Sequence, residues 1–246
     1  MPDPLPTFQR PGVSEMLESA AQLFKHSLLK CLPAMMVGAL CAEAAEIYWL
    51  ASGHVSTQPL QPRDPAYYGI AIAGGCLYML VAGAILLQLR ALRGGTLRPW
   101  SDVFSASLAR WPTLLLAWVL ASLGIALGLL AFLIPGIYLL VCLTPLMPVL
   151  MFESLSAPGT LKRCIALVRP MWVKVLACLI IAMFVVFVCM IVAGAILALL
   201  RLLSGQESGP GGNALSTTFS LLVSAVAQLF FYSLTLVIYT SASASA

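Results

Sequence analysis

The sequence predicts an all-α integral membrane protein. Six transmembrane helices form three hairpins, each preceded by an interfacial amphipathic helix, with both termini cytoplasmic. Three observations predict it. Apolar residues make up 61% of the 246-residue chain and charged residues only 9%, against about 25% charged in soluble domains. Such a chain cannot cover a water-facing surface, but a bilayer removes the need. Long apolar runs recur with no charge inside them. The cations, finally, gather in alternate connections.

The elements follow in order. Residues 1–13 are polar and proline-rich, lack the apolar core of a signal peptide, and read as a flexible segment. A helix needs about 20 apolar residues to cross a ~30 Å hydrocarbon core. The spans are expected over about 31–50, 67–89, 112–133, 137–152, 173–200 and 215–239. Trp111 to Phe152 is long enough for two crossings, and the expected break is at Ile134-Pro135-Gly136. There Pro135 removes a donor and Gly136 permits a turn. Residues 14–240 form one membrane domain, and the low-complexity tail 241–246 is set aside. Strands fit poorly, because barrel strands alternate apolar and polar residues and these runs do not.

Arg10, Lys25 and Lys30 precede span one. Arg90, Arg93, Arg98 and Arg110 lie between spans two and three, and Lys162, Arg163, Arg169 and Lys174 between spans four and five. Eleven of the 13 Lys and Arg thus fall on one side, with only Arg63 and Arg201 on the other. This bias places both termini inside.

The segments before spans one, three and five look alike. In Ser14–Lys30, Leu17, Ala21, Phe24 and Leu28 share a helical face, and Ser14 suits the cap. Ser101–Arg110 carries Phe104, Leu108 and Trp111 on one side. Pro158–Pro170 has Leu161, Ile165, Val168 and Trp172 in a stripe, with Lys162, Arg163 and Arg169 as a basic edge. Helices of this kind lie flat, apolar side in the acyl boundary and basic side toward anionic headgroups. The expected headgroup contacts are Lys25, Lys30, Arg98, Arg110, Lys162, Arg163, Arg169 and Lys174.

One stretch resembles a known bacterial pattern. It reads Leu133-Ile134-Pro135-Gly136-Ile137-Tyr138-Leu139, then Pro148 and Glu153, then Leu161-Lys162-Arg163-Cys164, Leu167, Arg169 and Trp172. This resembles the YciC-like inner-membrane proteins and the membrane domain attached to some glycerophosphodiester phosphodiesterases. In that group a Pro-Gly-Ile turn is followed by a Pro, a Glu and an Ala-Leu-x-Arg-Ser amphipathic helix. Here Thr160-Leu161 and Cys164 depart from the Ala-Leu and Ser of the group. The resemblance covers Arg90–Trp172 clearly and the rest only in layout. It implies a multi-pass protein of the bacterial inner membrane. The phosphodiesterase catalytic domain has no counterpart here, so its activity does not carry over.

Glu43 and Glu46 are the sharpest candidate site. They sit three residues apart on one face of span one, about 20 and 24 Å beyond Lys30 at ~1.5 Å per residue. Ionisable groups at such depth are costly and usually face a bundle interior or cavity. One reading is a proton- or cation-linked site; the other is a pair near the outer interface, reached by water or paired with Arg201. Thr144-Pro145 and Pro148 predict a kinked span four, which either packs or lines a site. Glu153 is expected to pair with Lys162, Arg163 or Arg169. Gly124 and Gly128, and the series Ala34, Gly38 and Ala42, permit close helix contacts. The seven cysteines lack a CxxC pair and read as packing residues.

No metal, nucleotide or nucleic-acid chemistry is visible. The two histidines, His26 and His54, fall on opposite sides of the membrane, and no GxxxxGK[ST] occurs. No acid, base and nucleophile converge, so neither an enzyme nor a cofactor is expected. The leading reading is a non-enzymatic inner-membrane protein that touches anionic lipid, with a membrane-protein partner or further copies of itself as candidate partners. The alternative is a small transporter or transporter subunit using Glu43, Glu46 and Thr144.

Overall fold

The computed structural model describes residues 12–52, 63–153, 155–204 and 210–244. Most of the expected flexible segment 1–13 and the last residues of the tail lie outside them. The helices are α1 (Val13–Ala51), α2 (Pro65–Arg93), α3 (Trp100–Ala131), α4 (Leu133–Cys142), α5 (Leu146–Phe152), α6 (Ala157–Val168), α7 (Trp172–Ser204) and α8 (Pro210–Ser243). A single 3-10 turn over Arg169–Met171 joins α6 to α7. Among the described residues there is no strand. Six stretches are long and apolar enough to cross a membrane: Val13–Trp49, Pro65–Arg93, Trp100–Leu130, Leu133–Phe152, Ala157–Leu199 and Leu221–Ser243. Helices are the forced solution, since a backbone amide in hydrocarbon finds no partner outside its own segment.

Helix α1 is the spine. It runs antiparallel to α2, with Gly38 against Val81, Gly74 against the Cys41 carbonyl, and Glu46 against Tyr67. It also runs antiparallel to α8. Met16 and Ala20 share a buried cluster with Leu234, Val237 and Ile238, while Cys31, Met35 and Ala39 share another with Leu221, Ala225 and Leu229. Helix α3 is tied to α2 by polar bonds to the backbone. Ser107 Oγ donates to the Leu80 carbonyl at 2.8 Å, and Trp111 Nε1 to that of Cys76 at 3.1 Å. Cys31, Cys142, Cys164 and Cys178 are buried, and all seven cysteines are free.

Several details differ from expectation. The break between α3 and α4 falls at Phe132 (φ −160°, ψ 143°), a single extended residue, and not at Pro135-Gly136. Pro135 sits in the first turn of α4, where an amide donor has no intrahelical acceptor and its loss is free. Gly136 does not supply a left-handed turn, since Gly95 is the positive-φ residue among those described. Its role is close approach: a Cβ there would collide with the Leu129 backbone and side chain, and one on Gly128 would lie 3.1 Å from the Gly136 Cα. Gly124 has open space beside it.

The segments 14–30 and 101–110 are not separate helices. α1 (39 residues) and α3 (32 residues) pass without interruption through Pro33 and Pro112. A proline inside a membrane helix is tolerated where neighbouring groups absorb the freed carbonyl. The third such segment is a distinct helix, α6, whose buried residues are Ala157, Thr160, Cys164, Leu167 and, from the expected stripe, Val168. Leu161 and Ile165 flank that side half-buried. Ala157, Thr160 and Cys164 are small, which suits close helix contact in a bilayer, and Leu167 and Val168 fill the rest of that side. Span four is broken as expected: α4 ends at Cys142, Leu143–Pro145 form a turn, and Pro148 falls in the first turn of α5. α8 continues through Ser243, into the low-complexity stretch that begins at Ser241. Ser-Ala-Ser contains no helix breaker.

The contact at Gly136 is testable. Gly136→Ala should lower unfolding stability in detergent by about 1–3 kcal/mol, the usual cost of overpacking. Gly124→Ala, facing open space, should leave the thermal midpoint unchanged.

Candidate functional site

Among the described residues, three groups of polar side chains stand out. The first joins the end of α1 to the start of α2. Asp64 caps α2, its Oδ1 accepting from the Tyr67 amide at 3.0 Å, with Pro65 at the first helical position. Asp64 Oδ2 also accepts from the Tyr48 hydroxyl at 3.0 Å. Glu46 receives Arg63 Nη1 in an ion pair and the Tyr67 hydroxyl at 2.8 Å. The Arg63 guanidinium lies over the Tyr67 ring at 4.2 Å and the Trp49 ring at 5.7 Å. Bonding to Glu46 pushes the Arg63 pKa above its ordinary value, so this cation stays charged at any accessible pH.

The expected acidic pair is therefore divided. Glu46 is half-buried and satisfied by Arg63 and Tyr67, while Glu43 is exposed. Among the described residues Glu43 has no hydrogen bond or ion pair, and the two acids do not converge on a shared cavity. The Arg201 side chain lies outside the described set. The signal for this cluster was legible in part: Tyr48-Trp49 and Tyr67-Tyr68 bracket the connection that carries Arg63 and Asp64.

The second place joins α2, α5, α6 and α8. Glu153 Oε2 accepts from Arg163 Nε at 3.0 Å, and Oε1 from the Tyr239 hydroxyl at 3.1 Å. The Phe152 and Tyr239 rings pack tilted at 54° with centres 5.5 Å apart, and the Arg90 guanidinium lies 4.3 Å from the Phe152 ring centre. Nearby, Arg110 Nη1 donates to the carbonyls of Leu150 and Met151 at 2.9 and 3.0 Å. These are orphan acceptors at the carboxyl end of α5, and a cation there also suits the helix dipole. Two cations expected at headgroups, Arg110 and Arg163, are thus engaged by the protein itself. Thr144, at the break of span four, donates to the Leu140 carbonyl at 3.4 Å.

The third place was not anticipated. Tyr78 of α2 and Tyr232 of α8 form a hydroxyl–hydroxyl bond of 2.7 Å inside the bundle. Two tyrosines in otherwise apolar spans were the available signal, but only packing reveals that they meet.

Lys25, Lys30, Arg98, Lys162 and Arg169 are exposed, and Lys174 is half-buried. Lys30 contacts His26 at 3.4 Å. None of the six forms an ion pair with a described carboxylate; those pairs are Arg63–Glu46 and Arg163–Glu153. No group of three or more metal-ligating side chains occurs among the described residues.

The arrangement defines a multi-pass α-helical membrane protein with six helices able to span a bilayer. Compared with protein-family models, curated proteins and solved structures, the chain has no match.

Glu153 and Glu43 make contrasting targets. Glu153→Ala strips the acceptor from both Arg163 and Tyr239 and should destabilise the protein by about 1–3 kcal/mol. Glu43→Gln should change stability by less than about 0.5 kcal/mol, as for other surface substitutions. Denaturation in a mild detergent measures both.

Proposed function

We propose that this chain is a non-enzymatic protein of a bacterial inner membrane, with both termini cytoplasmic, whose basic side engages anionic lipid headgroups. The inner-membrane setting rests on the resemblance to YciC-like proteins, and the orientation on the charge bias. One observation carries the lipid reading. The described cation on the opposite side, Arg63, is consumed by Glu46, whereas Lys25, Lys30, Arg98, Lys162 and Arg169 are exposed without a carboxylate partner. Each cation near an anionic surface contributes about 1 kcal/mol of attraction. Segment 157–168 is the best candidate for a helix lying at the interface, with Lys162 outward and Cys164 inward. The transport alternative draws no support from Glu46, which is tied to a connection, or from Glu43, which faces outward.

Native mass spectrometry of the full chain, released from mixed phosphatidylglycerol and phosphatidylcholine, tests this reading. The anionic lipid should be retained preferentially, and Lys162→Gln with Arg169→Gln should reduce the preference. Equal retention of both lipids overturns it. Orientation has its own check: tags after residues 100 and 160 should report one compartment, and tags after 58 and 207 the other.

A further inference from the structure

Three arginines gather where α2, α5 and α8 end. The Arg90 guanidinium lies over the Phe152 ring, and Phe152 packs against Tyr239. Tyr239 donates to Glu153, which also accepts from Arg163. One residue further along α8, the Thr240 hydroxyl accepts from Arg93 Nη1. Arg90 and Arg163 both lie within electrostatic reach of the Tyr239 hydroxyl. Among the described residues this group holds three cations against one carboxylate, Glu153.

We propose that Arg90, Arg93 and Arg163 form a binding site for a terminal phosphate, the group shared by phosphatidic acid and free phosphate. The inference goes beyond the headgroup reading above, which uses none of these three residues. A cation–π contact engages the flat face of a guanidinium and leaves its N–H donors at the rim. Among the described residues the Arg90 guanidinium has no hydrogen bond. Arg163 uses Nε for Glu153, and Arg93 uses Nη1 for Thr240. All three therefore keep donors to offer, and guanidinium donors match phosphate oxygens in geometry as well as charge. A terminal phosphate presents three acceptor oxygens and close to two negative charges. A phosphodiester has fewer of both, so three guanidiniums suit the terminal group better.

The helix ends do not account for these cations. Lysine and arginine often sit at carboxyl termini to answer the last carbonyls. At the end of α2 those carbonyls are already answered: the Gly94 amide bonds Arg90, that of Gly95 bonds Leu92, and that of Thr96 bonds Ala91. At the end of α5 the donor is Arg110. Neither Arg90 nor Arg93 pairs with a described carboxylate. Both are exposed, so a phosphate reaches them without opening the bundle. Phe152, Glu153 and Thr240 hold the three side chains in place beforehand, which lowers the ordering cost of binding.

Titration calorimetry of the purified full chain, in neutral detergent and chloride buffer, tests the site. Inorganic phosphate and dioctanoyl phosphatidic acid are the probes, and dioctanoyl phosphatidylcholine is the reference. Saturable binding of at least one probe is expected, with none of the reference. Binding of inorganic phosphate assigns a water-borne source, and binding of phosphatidic acid alone assigns a lipid. Arg90→Gln and Arg93→Gln, both exposed and mild, should each weaken binding about tenfold, as expected for one lost hydrogen bond to a charged group. Lys162→Gln should leave it unchanged. The proposal fails if neither probe binds, if phosphatidylcholine binds as well as phosphatidic acid, or if both arginine variants bind like the wild type. An equal loss in Lys162→Gln also overturns it, since the attraction is then diffuse charge. If Arg90→Gln does not fold, Arg93→Gln decides alone.

Discussion

The structure depends on an apolar solvent around α7. Beyond Ala182 this helix has no buried residue among those described, and Phe184, Phe187, Ile191 and Ile196 all stand exposed. A helix apolar on every side can be stable only inside a large core or in lipid. Among the described residues nothing wraps it, so its apolar faces call for lipid. The same solvent dictates the rest of the backbone, because each amide in hydrocarbon has to find its acceptor within its own helix or on a neighbour. Where the helices break, the partners are identifiable: Arg110 for the end of α5 and Asp64 for the start of α2.

With hydrophobic burial removed as the sorting force, small residues and polar bonds set the contacts between helices. Gly74 lets α1 and α2 approach to backbone contact, and Gly83 makes room for Ser107 and Met151. Two of the three polar clusters sit at or near helix ends, where Arg63 pairs with Glu46 and Arg163 with Glu153; the third, Tyr78 with Tyr232, lies inside the bundle. Each pair joins elements that the chain must bring together from a distance, such as α5, α6 and α8 at Glu153.

The number of crossings, the helical class and the break in span four were legible in the sequence. They follow from run length and proline position, which are local. The exact turn at Phe132 was not legible, because the Pro-Gly pair beside it carries the stronger turn signal. In the structure that proline opens a helix and that glycine serves packing. The stripe of α6 is expected in the acyl boundary, and in the structure it is divided: Val168 is buried, Leu161 and Ile165 are half-buried and Trp172 is exposed, because the side that meets the bundle depends on packing that no local pattern encodes. Glu46 was legible as an anomaly, and Glu153 as a partner for Arg163. The meeting of Tyr78 with Tyr232 depends on how α2 and α8 pack, which no local pattern encodes.

The carboxyl end of α5 bears on how the protein is made. A seven-residue helix is marginal alone, and its last carbonyls are answered by a guanidinium on α3. The last turn of span four is therefore completed by a side chain of the preceding span, and ribosomal synthesis delivers Arg110 before the Leu150 and Met151 carbonyls that it satisfies.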